Sequence, residues 1–139
     1  MLTQEPEIRA NYVATGQAKL VFWPVINHGN PSLYATLTME CVAQQSLPLA
    51  WEVHAYLFDH QADLWRADRD FFVTVANTVG VDQATFESCY DGQTALQTVL
   101  NLDFIRRERG ITGQPFFDVN GTVLAGTFQL IDTIELALP

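Results

Sequence analysis

Between Gly110 and Gly121 the chain reads Gly-Ile-Thr-Gly-Gln-Pro-Phe-Phe-Asp-Val-Asn-Gly, and few backbones satisfy that order. Gly110 can take the left-handed conformation that ends a helix, and Gly113 can take dihedrals closed to residues with a Cβ. X-Pro bonds are where cis peptides occur, which makes Gln114-Pro115 the candidate cis bond of the chain. Phe116 to Val119 has the aromatic and β-branched content of a strand. Asn120-Gly121 is the strongest two-residue hairpin signal, with Thr122 to Ala125 as the returning strand. A helix stop, a tight turn and a hairpin must follow one another here.

The 139 residues suit one domain, 1–139, large enough to bury a sizeable core. No apolar run approaches the roughly 18 residues of a membrane span. Met1-Leu2-Thr3-Gln4-Glu5-Pro6-Glu7 has neither the basic nor the apolar region of a signal peptide. A net charge of −9 with 7 Lys+Arg argues against nucleic acid or an anionic membrane as partner. The clusters Arg66/Arg69 and Arg106/Arg107, with Arg109, read as solvated helix faces. The two cysteines, Cys41 and Cys89, and the three histidines, His28, His54 and His60, lack the spacing of a metal site. No metal or other cofactor is implied. The cysteines could be two buried thiols or one structural disulfide.

Taken in order, Glu5 to Thr15 patterns as a helix stopped by Gly16. Lys19 to Val25 is a continuous apolar run, the pattern of a strand buried on both faces, with Pro24 at its end or on a sheet edge. Asn30-Pro31 is an N-cap and first-turn pair, opening a helix to about Gln45 with Tyr34, Leu37 and Cys41 on one face. Pro48 starts another, with Trp51, His54, Ala55 and Phe58 on a shared face and His54 as a packed ring. After a polar loop at 59–66, Ala67 to Val79 is amphipathic through Phe71, Phe72, Val75, Ala76 and Val79. Asp82 caps a short helix carrying Phe86, Cys89 and Tyr90. Gln93 to Arg109 follows, with Leu96, Val99, Leu100 and Phe104 inward. The last helix, Thr127 to Leu138, turns Leu130, Ile131, Ile134 and Leu138 inward. Helices at approximately 31–109 lying between one strand and a terminal hairpin make an α/β domain with a helical subdomain.

Several stretches in this order resemble the DsbA-like branch of the thioredoxin superfamily. They are Thr15-Gly16-Gln17-Ala18-Lys19-Leu20-Val21-Phe22, Met39-Glu40-Cys41-Val42-Ala43-Gln44-Gln45, Trp51-Glu52-Val53-His54 with Leu57-Phe58, and Gly80-Val81-Asp82 with Phe86-Glu87-Ser88-Cys89. The most specific, Gly110-Ile111-Thr112-Gly113-Gln114-Pro115, is similar to the family's cis-proline loop. The resemblance implies a thioredoxin-like fold with an inserted helical subdomain, and thiol–disulfide oxidoreductase chemistry. It implies that Gln114 and Pro115 help bind an extended peptide or thiol protein substrate, and it suggests a periplasmic or extracytoplasmic setting.

The family's leading strand and C-x-x-C do not occur in this chain, which starts inside the helix that would carry the cysteine pair. Cys41 and Cys89 match the helical subdomain instead, where many relatives also carry cysteine. A bond between them would close a loop of roughly 49 residues, worth about 4 kcal/mol in the chain-entropy model; two reduced thiols are the alternative. No catalytic residue is therefore expected in the chain, and it should be inactive as it stands. Without the strand that precedes C-x-x-C, the sheet should rearrange or recruit a second copy, making a homodimer. Two other readings share the fold: a redox-inactive peptide-binding or interaction module, and a relative of the kappa-class glutathione transferases or hydroxychromene carboxylate isomerases.

Overall fold

The structure, a computed structural model, describes residues 4–139. Met1-Leu2-Thr3, where the reading for a leader begins, lie outside the described residues. Contacts divide the chain into two compact units, one formed by the chain up to Trp23 with Arg106–Pro139, the other by Pro24–Ile105.

The Pro24–Ile105 unit is helical. It holds α2 (Asn30–Ala43), α3 (Leu47–Asp59), a 3₁₀ turn at Asp63–Trp65, α4 (Arg69–Thr78), α5 (Gln83–Asp91) and most of α6 (Leu96–Glu108). Side-chain caps set three of the starts: Ser46 accepts from the Leu49 N–H, Asp68 from Phe71 and Asp82 from Thr85. The start of α2 differs from the Asn30 cap that the sequence suggests. Gly29, at φ 65°, is the N-cap, Asn30 is already helical, and the Ser32 hydroxyl ties the turn by accepting from the His28 N–H.

One core fills this unit. Leu37, Cys41 and Val42 of α2 meet Val53 and Leu57 of α3, Phe72, Val75 and Ala76 of α4, and Phe86, Cys89 and Tyr90 of α5. Tyr34, Phe72, Phe86 and Tyr90 pack as tilted or stacked aromatic pairs with centroids 5.6–6.4 Å apart, geometry that adds to the burial of their area. Burial pushes the Tyr90 hydroxyl well above the ordinary tyrosine range.

Two helical faces differ from the sequence reading. In α3 the buried residues are Ala50, Val53, His54 and Leu57; Trp51 and Phe58 stay at the margin, where their rings flank the buried His54 ring at 5.1 and 4.6 Å. Small and branched side chains allow the close approach to α2 that the large rings would block. In α6 the inward stripe is Val99, Asp103 and Arg106, continuing from Ala95, while Leu100 and Ile105 are exposed and Phe104 is 62% exposed. Polar contacts fix that rotation. Asp103 accepts the Ile26 N–H at 3.0 Å, and the Arg106 guanidinium donates to the Ile111 carbonyl. Arg106, 5% exposed, is therefore not part of a solvated face.

The other unit opens with α1 (Glu5–Ile8), which widens into a π-helical turn at Arg9–Val13, where the Ala14 N–H reaches the Arg9 carbonyl. It continues after α6 with β1 (Phe116–Val119), β2 (Thr122–Ala125) and α7 (Leu130–Ala137). Ile8 and Tyr12 pack against Leu130 and Ile134, with Phe117, Val119 and Leu124 of the hairpin's inner face around them. The Tyr12 hydroxyl donates to Glu135 at 3.0 Å, joining the two ends of the chain's sequence.

The apolar run Lys19–Val25 forms no strand. Among the described residues the one ladder is antiparallel and joins β1 to β2. Composition makes a segment able to be a strand, but a neighbouring backbone must supply the bonds. Val21 is 60% exposed and Trp23 37%, where burial on both faces was expected.

Candidate functional site

The candidate site is the turn between α6 and β1. It is built by the helix stop. Gly110, at φ 70°, donates to the Arg107 carbonyl at 2.9 Å, and the Ile111 N–H donates to the Arg106 carbonyl at 3.2 Å. This bond pair is the Schellman pattern that a left-handed glycine permits. The Arg106 side chain then returns to the Ile111 carbonyl, so one residue holds both backbone groups of the first loop position. A Cβ on Gly113 would lie 3.1 Å from the Phe116 ring, so a side chain there would make the ring shift by a few tenths of an ångström.

The Gln114–Pro115 peptide is cis, and both residues are exposed. β1 begins at the next residue. Phe117 pairs with Leu124 and Val119 with Thr122, and the Pro115 carbonyl accepts from the Gly126 N–H at 3.0 Å. In an antiparallel ladder the bonded pairs alternate with pairs whose N–H and C=O point away from the partner. Phe116 and Asp118 are in that outward class. The edge of β1 that follows Pro115 thus presents their main-chain groups away from β2.

The far end of the hairpin is held by charge. Asp118 accepts from the Gly121 N–H at 2.7 Å with one carboxylate oxygen and from the Arg109 guanidinium with the other. The Arg109 bond, then the backbone bond, holds the Asp118 carboxyl below the usual carboxylate range. Asn120 at φ 50° and Gly121 at φ 96° complete the two-residue turn, with the positive φ values that match the twist of the flanking strands.

The two other sequence-selected residues lie in the helical unit. Cys41 of α2 and Cys89 of α5 form a disulfide with a Cα–Cα distance of 5.7 Å. Gln114 and Pro115 are in the first unit and the disulfide in the second. Sequence reasoning missed Arg106 and Arg109 as builders of the loop. For Arg106 a signal existed, because it falls on the helical stripe begun by Ala95 and Val99; for Arg109 the partner, Asp118, could not be chosen among nearby acids. Among the described residues no group of three or more His, Cys, Asp or Glu could hold a metal ion, and no helix is long and apolar enough to cross a membrane.

The family model described as Thioredoxin matches residues 2–134. No curated protein and no solved structure gives a match. With nearly its whole length covered, and with a helix-rich domain and a small two-stranded sheet behind the Gln114-Pro115 turn, the chain belongs to the thioredoxin family.

Proposed function

We propose that this chain is a DsbA-like thioredoxin-family protein that binds extended peptides at the open edge of β1 and does not itself turn over disulfides. Family membership supports thiol–disulfide oxidoreductase-like chemistry as the general class. The observation that carries the narrower reading is the edge itself. Outward main-chain groups of Phe116 and Asp118 follow directly on Gln114-Pro115, and an extended peptide can bond to such an edge as an added strand. Gln114 and Pro115 would flank the peptide where it meets the turn.

Thiol exchange at that edge would need a thiolate beside it. Both cysteines of the chain are bonded to each other, which supports inactivity and also a second reading, a redox-inactive peptide-binding or interaction module on the same fold. A strand edge open in one copy is open in every copy, so the same surface supports a homodimer as the resting state.

The test is a titration with a labelled, unstructured peptide from a thiol protein. Phe116→Pro deletes an outward N–H without touching the inward ladder, and should weaken binding by about 1 kcal/mol, roughly fivefold. Phe116→Leu keeps that N–H and should bind nearly as the native chain does. Equal binding by native protein and Phe116→Pro would remove the edge from the proposal. Turnover of insulin disulfides by the purified chain would contradict the claim of inactivity.

A further inference from the structure

A surface cavity of about 450 Å³ lies over α5 in the helical unit, lined by Gln44, Ala84, Thr85, Ser88, Cys89 and Thr94. It is shallow and largely open to solvent. The lining is neutral: one amide, three hydroxyls, a methyl and a half-cystine. The two halves of the disulfide differ in access, since Cys89 is 6% exposed and contributes to this cavity while Cys41 is 1% exposed and does not. Beside it the chain turns tightly out of α5: a Cβ on Gly92 would meet the Ser88 carbonyl at 2.7 Å, and the Thr94 N–H folds back onto the Cys89 carbonyl at 3.1 Å.

We propose that this cavity admits a low-molecular-weight thiol carrying amide or hydroxyl groups, and that Cys89 is the site at which it forms a mixed disulfide in the folded protein. The thiolate sulfur attacks Cys89 Sγ, the new S–S bond forms as the Cys89–Cys41 bond breaks, and Cys41 leaves as a thiolate. The incoming sulfur is oxidised to the disulfide level and the Cys41 sulfur is reduced. Cys41 sits among Leu37, Val42 and the rest of the apolar core, where a charge is disfavoured, so it takes a proton from solvent. A protonated thiol is a poor nucleophile, and the return attack on Cys89 is slowed. The same burial makes Cys41 a slow leaving group, so the mixed disulfide forms slowly and is captured by acid quenching before the return attack. Cys89 and the β1 edge lie in different units, so this reaction is independent of peptide binding at the edge.

Reduced glutathione, a tripeptide thiol, is the probe. The folded full-length chain is incubated with it at neutral pH, quenched with acid, alkylated and mapped by peptide mass spectrometry. The expected result is glutathione on Cys89 and alkylation on Cys41, at a rate that is insensitive to low denaturant. Ala84 is exposed, so Ala84→Trp can fill the cavity with little effect on the core, and should slow the reaction by about tenfold or more through lost access. Circular dichroism checks that the variant is folded, and Thr94→Trp provides a second filling from another wall. Adduct on Cys41, a rate that rises with denaturant in step with global unfolding, or full reactivity in both filled variants would overturn the proposal.

Discussion

Arg69 shows how one side chain can couple two helices. Its Nε and Nη2 donate to the two carboxylate oxygens of Asp91 at 2.7 and 2.6 Å, and Nη2 also meets Glu87. A planar guanidinium matches a carboxylate in this two-bond geometry better than an ammonium could. Hydrogen bonds from Arg69 hold the Asp91 and Glu87 carboxyls below their ordinary range, and a bond from Gln83 adds to the effect on Glu87. A carboxyl depressed in the folded state contributes stability that is present above its unfolded pKa and lost as pH falls through the folded one. Glu40 has the opposite sign, since burial raises its pKa, and protonating it relieves a cost. Arg69→Met should thus flatten the acid limb: between about pH 5 and about pH 2, urea midpoints of the variant should fall less than those of the native protein. Parallel curves would show that Arg69 is not the cause. This network was illegible in the sequence, because its partners lie 18 and 22 residues further along the chain. The Asp82 cap was legible, because its partner, Thr85, is three residues away.

At the level of elements, the same division by distance holds. The Asn120-Gly121 hairpin and the Gly110 helix stop depend on conformations that a few adjacent residues decide, and the sequence carries them in full. The rotation of α6 does not follow from counting apolar residues. Asp103 turns inward because Ile26, 77 residues away in sequence, offers it a backbone N–H, whereas Arg106 finds its partner, the Ile111 carbonyl, only five residues on. Lys19–Val25 has strand composition without a ladder, since pairing belongs to two segments and composition to one. The disulfide lies between these cases: the residues are evident, and their pairing depends on α2 and α5 packing side by side. It links residues 48 apart in sequence. Replacing both by serine should cost about 4 kcal/mol in the chain-entropy model, read as a lower urea midpoint with intact helical circular dichroism at zero denaturant. A loss below about 1 kcal/mol would mean that the unfolded chain is already compact, so that the crosslink restricts it little.

For the molecule as a whole, the notable feature is an imbalance in backbone bonding within the unit that carries the candidate site. Among the described residues its sheet has two strands, with neither outer edge in a ladder, and the same unit contains Leu20 and Val21, apolar residues outside that ladder. Its inner hairpin face packs on Tyr12, Leu130 and Ile134, while Phe116 and Val123 on the outer face remain exposed. An isolated two-stranded hairpin is marginal in water, so this unit gains most from any partner strand. The helical unit, with its closed core and disulfide, gains least. Hydrogen exchange separates the two. In dilute solution the amides of Leu20, Val21, Phe116 and Asp118 should exchange fast, and those of Val42, Val53 and Val75 slowly, because local opening follows local bonding and burial. If copies pair through the edge, protection at Phe116 and Asp118 should rise with protein concentration while the helical amides do not change. Protection at Phe116 and Asp118 that is as strong as in the helical core and independent of concentration would mean that the edge is already closed within one chain. In that case neither a second copy nor an extended peptide could use it.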